Sequence, residues 1–219
     1  MNLWECLLDL LFPPKCPFCG RVLDRPGICP KCEEILPWME DQNSLWKIPG
    51  GLRCAAPLWY RETVRTGLLR FKFQGAAGAA DALGGLIAQC AAERLSGEFD
   101  TVTWAPVSRR RLRKRGYDQA ELLARSACRR WDVKPVRLLE KIRDNPAQSG
   151  MTDAAARRAN VEGVYRAAEP ESIQGRRILL VDDICTTGAT LVECAGILRS
   201  AGAAEVVCAV VARTPLEGS

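Results

Sequence analysis

The spacing of polar and apolar positions changes several times along the chain, and each change marks an element. RRILLVDD (176–183) and EVVCAVVA (205–212) carry nearly unbroken apolar runs, the pattern of strands buried on both faces. GLRCAAPLWY (51–60), FDTVTWAPV ending near Pro106, and VRLLEKI (136–142) read as further strands. Between them the period lengthens. ETVRTGLLRFKFQG (62–75) places Val64, Leu68 and Phe71 on one helical face, and segments 79–96, 117–131 and 188–201 are helical as well. Strands alternating with helices predict an α/β fold, a parallel sheet covered on both faces. The first residues, MNLWECLLDLLFPP, set Leu3, Trp4, Leu7, Leu8 and Leu11 at helical spacing. Glu5, Asp9 and the lack of a basic start argue against a signal peptide or a membrane span, so a short amphipathic helix docking on the body is expected.

With 219 residues, 47% of them hydrophobic, the chain can bury a core of about one domain with a small appendage. The polar stretch EDQNSLWKIPGG (40–51), with Pro49 and the Gly50-Gly51 pair, reads as a linker between an N-terminal module at 1–39 and a main unit at 52–219. The 11 cysteines are an odd number, and Cys54, Cys90, Cys128, Cys194 and Cys208 lie singly in apolar segments. Buried free thiols in a reducing compartment, the cytoplasm, fit them better than a disulfide framework. Histidine is absent, which excludes Ser-His-Asp and Cys-His catalysis and any His-ligated metal.

Four cysteines are not scattered. In CPFCGRVLDRPGICPKC, Cys16, Cys19, Cys29 and Cys32 form two Cys-x-x-Cys pairs beside prolines. Such turns present two thiolates each to one tetrahedral ion, so a four-thiolate zinc site is expected. Four protein ligands leave no open position, which makes the zinc structural, and a segment this short needs the metal to fold.

The junction in RRILLVDDICTTGATL is the other concentrated signal. Asp182 and Asp183 stand together where the apolar run ends, and the small residues Thr186, Thr187, Gly188, Ala189 and Thr190 lead into a helix. Ligands of open α/β sheets bind beyond the carboxyl ends of the strands. Backbone N–H groups of such a turn, with threonine hydroxyls and the positive helix end, suit a phosphate. Adjacent carboxylates suit sugar hydroxyls or a bridging magnesium ion, so a sugar phosphate is the implied ligand. The bland alternative is a strand-to-helix turn with acidic caps, against which stands the cost of burying two unused acids.

VDDICTTGAT resembles the phosphoribosyl-pyrophosphate (PRPP) motif of type I phosphoribosyltransferases. With LLRFKFQG (68–75), APVSRRRLRKRGYDQAELLA (105–124), NPAQSGMTDAAARRANVEG (145–163) and the four-cysteine segment, the chain resembles the ComF family of competence-associated proteins. The resemblance implies a zinc finger followed by a type I phosphoribosyltransferase domain, divided into a hood at 52–96 and a core at 97–219. It implies PRPP with magnesium as ligand: Asp182 and Asp183 on the ribose hydroxyls, Thr186 to Thr190 on the 5-phosphate, and Val107, Ser108 and Arg109 on pyrophosphate. The stretch from Arg143 to Gly163 corresponds by position to the loop that closes over such sites, and Lys141, Arg143 and Gln148 are its candidate catalytic residues.

Positive charge is concentrated near this edge, with 15 Lys and Arg against 7 Asp and Glu between residues 101 and 165, in a chain of net charge +5. In SRRRLRKRG, Arg109, Arg110, Arg111, Arg113, Lys114 and Arg115 could meet pyrophosphate, nucleic-acid phosphates or only solvent. No pattern names the acceptor. Trp59, Tyr60, Phe71 and Phe73 read as core rather than as a platform for a base. Three functions fit: a transferase of ribose phosphate, a PRPP-responsive regulator that does not turn over, and a component of DNA uptake whose finger and basic surface engage single-stranded DNA or DNA-uptake proteins.

Overall fold

The computed structural model describes residues 13–73, 77–144 and 163–215. Residues 1–12 of the amphipathic stretch MNLWECLLDLLFPP and the candidate Gln148 lie outside them. The main sheet contains β1 (Leu45–Ile48), β2 (Leu52–Ala55), β3 (Leu58–Trp59), β4 (Thr101–Trp104), β7 (Arg177–Cys185) and β8 (Glu205–Arg213), and a separate two-stranded ribbon pairs β5 (Leu139–Lys141) with β6 (Tyr165–Ala167). The main order is β1-β2-β8-β7-β4, with β3 following β2 along the same side of β8. Every pairing in it is parallel except β1 with β2.

Among the described residues the α-helices are α1 (Pro30–Ile35), α2 (Glu62–Phe73), α3 (Ala80–Arg94), α4 (Arg109–Arg115), α5 (Gln119–Arg130) and α6 (Ala189–Ser200). The apolar runs of β7 and β8 divide by alternate residues, as the pleat requires. Leu179, Val181, Val207, Ala209 and Val211 pack with α2, α3 and α5 on one face. Ile178, Leu180, Val206, Cys208 and Val210 pack with α6 and the β5–β6 ribbon on the other. The expected parallel sheet, covered on both sides, is therefore the architecture.

Two local expectations change, and one unassigned stretch gains an element. The supposed linker supplies β1, whose register runs from Leu45 opposite Ala55 to Ile48 opposite Leu52, so the stretch 40–51 closes one sheet edge. VRLLEKI contributes β5, which lies outside the main sheet because it pairs antiparallel with β6. The basic run, to which the sequence assigned no element, forms α4. Ser108 caps it by accepting from the Arg111 amide, and Gly116, with a φ of 82°, ends it.

Candidate functional site

Trp104 on β4 lies opposite Val181 on β7, and the Ala105 amide donates to the Val181 carbonyl at 3.0 Å. The segments leaving these two parallel strands therefore emerge side by side at one sheet edge. β7 continues two residues past the acid pair to Cys185, so the acids sit within the strand rather than at its tip. Successive strand residues point to opposite faces, and the contacts agree. Asp183 is buried and faces α2, where Lys72 Nζ stands 2.7 Å from its Oδ2. Asp182 lies in the field of Lys141, Tyr165 and Cys194 on the other side. Burial pushes the Asp182 carboxyl up to about 8, and the charge of Asp183 adds to this while Lys72 opposes it.

The turn from Thr186 to Gly188 leads into α6. Gly188 has a φ of 76°, and a Cβ there would come within 2.9 Å of the Ile48 side chain on β1, so the position needs glycine twice over. Thr187 Oγ1 accepts from the Ala189 amide at 3.4 Å, and Thr190 stands in the first turn of α6.

The segment after β4 is tied down by a residue that sequence reasoning did not single out. Asp118 accepts from the Val107 amide at 2.8 Å and from the amides of Ala120 and Glu121, capping α5. Burial raises its carboxyl to about 6 despite these donors. Arg109, Arg110, Arg113 and Lys114 on α4 are exposed. Arg115 is half-buried, donates to Gln119 at 2.6 Å and lies 4.7 Å over the Phe73 ring. Burial and the nearby Arg111 lower its pKa, and the Asp183 charge opposes them. Phe71 is a core residue at 0% exposure, but Phe73 is 59% exposed, contrary to its reading as core. It is the last residue of α2, past the stripe of Val64, Leu68 and Phe71 that faces the interior.

Lys141 Nζ donates to Tyr165 Oη at 3.2 Å. Burial and the charge of Arg111 lower its pKa to about 8. Arg143 is exposed, and of the two candidates among the described residues Lys141 is the one in the field of Asp182. Lys72, Asp118 and Tyr165 escaped notice because none lies in a motif whose spacing alone specifies chemistry; only LLRFKFQG and GYDQAELLA, quoted whole, contained the first two.

In the module that packs on α2 at Gly67 and Arg70, the four cysteine sulfurs of Cys16, Cys19, Cys29 and Cys32 lie within 4.8 Å of one another. A tetrahedral zinc with Zn–S bonds near 2.3 Å spaces its sulfurs by about 3.8 Å, and Cys19 and Cys29 stand 3.6 Å apart. Burial would raise the Cys16 thiol, yet the backbone donors around it bring it down to about 7, while burial and the neighbouring cysteines push the Cys32 thiol up. The residues fit a closed structural zinc site.

Residues 7–43 match the double zinc ribbon domain family, and residues 112–217 match the phosphoribosyl transferase domain family. The DNA utilization protein YhgH of Salmonella typhimurium is 29% identical over 216 residues, covering 93% of this chain and 92% of that one. Competence protein ComFC of Bacillus subtilis is 28% identical over 192 residues, 88% of this chain and 74% of its own. Competence protein F of Haemophilus influenzae is 34% identical over 95 residues, 42% and 41% of the two chains. No helix among the described residues is long and apolar enough to cross a membrane.

Proposed function

Because this chain belongs to the ComF family, a double zinc ribbon joined to a phosphoribosyl transferase domain, we propose that it binds PRPP with magnesium and serves DNA uptake or utilization in the cytoplasm. The observation that carries this reading is the sheet edge where the acid pair, the Thr186–Gly188 turn and the segment after β4 converge. Asp182 and Asp183 accept from the ribose hydroxyls. Backbone N–H groups and hydroxyls from Thr186 to Thr190 hold the 5-phosphate at the start of α6. Val107, Ser108 and Arg109 hold pyrophosphate, with the exposed cations of α4 beside them. Two carboxylates are the hard oxygen donors magnesium prefers, and magnesium would neutralise the diphosphate.

In turnover the bond from ribose C1 to pyrophosphate breaks and an acceptor atom takes its place. Fixed charges, rather than a side-chain nucleophile, stabilise the separating groups. Lys141, with its lowered pKa, stands near Asp182 at this edge, and the open Phe73 ring offers a planar acceptor a surface. Calorimetry should detect magnesium-dependent PRPP binding, at least tenfold weaker in Asp182→Asn, Asp183→Asn, because charge-assisted bonds to the sugar are lost. Equal binding by the variant, or no binding by the parent, rejects the site. Pyrophosphate release with one base of a panel would identify an acceptor, and binding without release would make the protein a PRPP-responsive regulator.

The exposed basic face of α4 favours a further reading, contact with single-stranded DNA. Affinity should then fall steeply between about 50 and 200 mM salt, and Arg110→Ala with Arg113→Ala should flatten that slope. An unchanged slope removes α4 from the DNA surface.

A further inference from the structure

The zinc knuckle and the acid pair touch the same helix. Pro17 and Phe18 lie between the ligands Cys16 and Cys19, and both press on α2 at Gly67. A Cβ at that position would come within 2.8 Å of the Pro17 carbonyl oxygen and 2.9 Å of the Phe18 ring. One turn on, Arg70 Nη1 donates to the Phe18 carbonyl at 3.1 Å. Two residues further, Lys72 reaches Asp183 at 2.7 Å. Val64, Leu68 and Phe71 are fully buried along the same helix, so α2 cannot flex between its two attachments without disturbing the core. From Gly67 to Lys72 the helix rises only about 7.5 Å.

We infer that Lys72 is a positioning residue for Asp183, and that the zinc knuckle sets its place, so that metal at the ribbon and ligand at the acid pair are coupled through α2. The ligand half of this inference rests on the PRPP reading above. Asp183 is buried beside Asp182, and among the described residues Lys72 stands 2.7 Å from its Oδ2, a contact that helps fix its orientation. Loss of zinc would release the Cys16–Cys19 turn and with it the contacts that hold α2 at Gly67 and Arg70. Lys72 would shift relative to β7, and Asp183 would lose its fixed orientation toward the sugar. Coupling between two sites is reciprocal: whatever factor zinc contributes to PRPP affinity, PRPP must contribute to zinc affinity.

The test uses the full chain in three forms, parent, Lys72→Met and Lys72→Arg. Zinc affinity is measured by competition with a chromogenic chelator, with and without saturating magnesium and PRPP. In the parent, PRPP should tighten zinc about tenfold, within the span usual for coupled sites, and zinc-stripped protein should bind PRPP weaker by the same factor. Lys72→Met should keep its zinc but lose the factor, and Lys72→Arg should recover part of it, which a purely structural lysine would not require. Identical zinc affinity with and without PRPP, in protein that binds PRPP, overturns the coupling. If PRPP does not bind, the ligand reading fails and the carboxyl 13C signal of Asp183 decides the coupling separately. Movement of that signal both on zinc removal and in Lys72→Met supports the link through α2, and a signal indifferent to zinc overturns it.

Discussion

Two clusters of ionisable groups, four cysteine thiols and two aspartate carboxyls, are both tied to α2, the first at Gly67 and Arg70 and the second at Lys72, and they relate to the fold in opposite ways. Around the thiols the described residues supply little apolar material. The bridge of Lys15 with Val22, the six-residue α1, the buried Phe18 and Leu36 and the partly buried Leu23 and Ile28 are most of what these residues offer besides the cysteines. Short segments with so little core fold on their metal. The carboxylates instead sit in a strand flanked by β4 and β8 and sealed by Ile178, Leu179, Leu180 and Val181. That strand would form without them, and their burial works against it. Clustered charge holds the first region together and strains the second, where a ligand is the reason to keep it.

The largest expected effect breaks the first half of this contrast. Cys16→Ser with Cys19→Ser should abolish the zinc, about one per chain in the parent, and unfold the ribbon, while the sheet keeps its cooperative melting transition. Metal analysis and hydrogen exchange would read the two regions separately. Purified protein without zinc under reducing conditions, or a sheet that melts together with the ribbon, would contradict it.

How much of this was legible beforehand follows from the same contrast. The ribbon could be read because metal geometry is written in local spacing: Cys16, Cys19, Cys29 and Cys32 need only short turns to meet. The strands β7 and β8 could be read because burial on both faces leaves continuous apolar runs. Short elements were hidden. β1 was masked by its Asp, Gln, Asn and Ser neighbours, and β5 looked like a sheet strand although its partner, β6, is a hairpin neighbour separated by a long insertion. Long-range polar partners were hidden too. Lys72 and Asp183 are paired only because α2 packs on the face of the sheet toward which Asp183 points, and Asp118 reaches Val107 only because α4 folds the chain back. No periodicity encodes either contact. Phe73 was misjudged because aromatic content alone does not report which side of a helix ends in solvent.

The smaller effect tests the second half, the claim that the acids strain the strand. Burial and the neighbouring Asp183 raise the folded-state pKa of Asp182 from 3.8 to about 8, with Lys72 opposing and Asp118 adding to the shift. A carboxyl raised in this way contributes stability that is fully present below its unfolded pKa and is lost as pH rises through the folded one. Between about pH 4 and pH 8 the unfolded chain releases a proton that the folded chain keeps, so folding becomes less favourable with each step in pH. Asn in place of Asp182 imitates the protonated acid and removes that titration. Asp182→Asn should therefore melt close to the parent near pH 4 and progressively above it toward pH 8, with the gap levelling off beyond. At about 2–4 °C per kcal/mol for a chain of this size, a difference of several degrees is expected near pH 8. The same substitution should weaken PRPP binding, so stability and affinity would move in opposite directions at one residue. A gap that stays constant across the range, or one that opens on the acid side, would show that Asp182 is no burden to the fold and that the two clusters are more alike than their surroundings indicate.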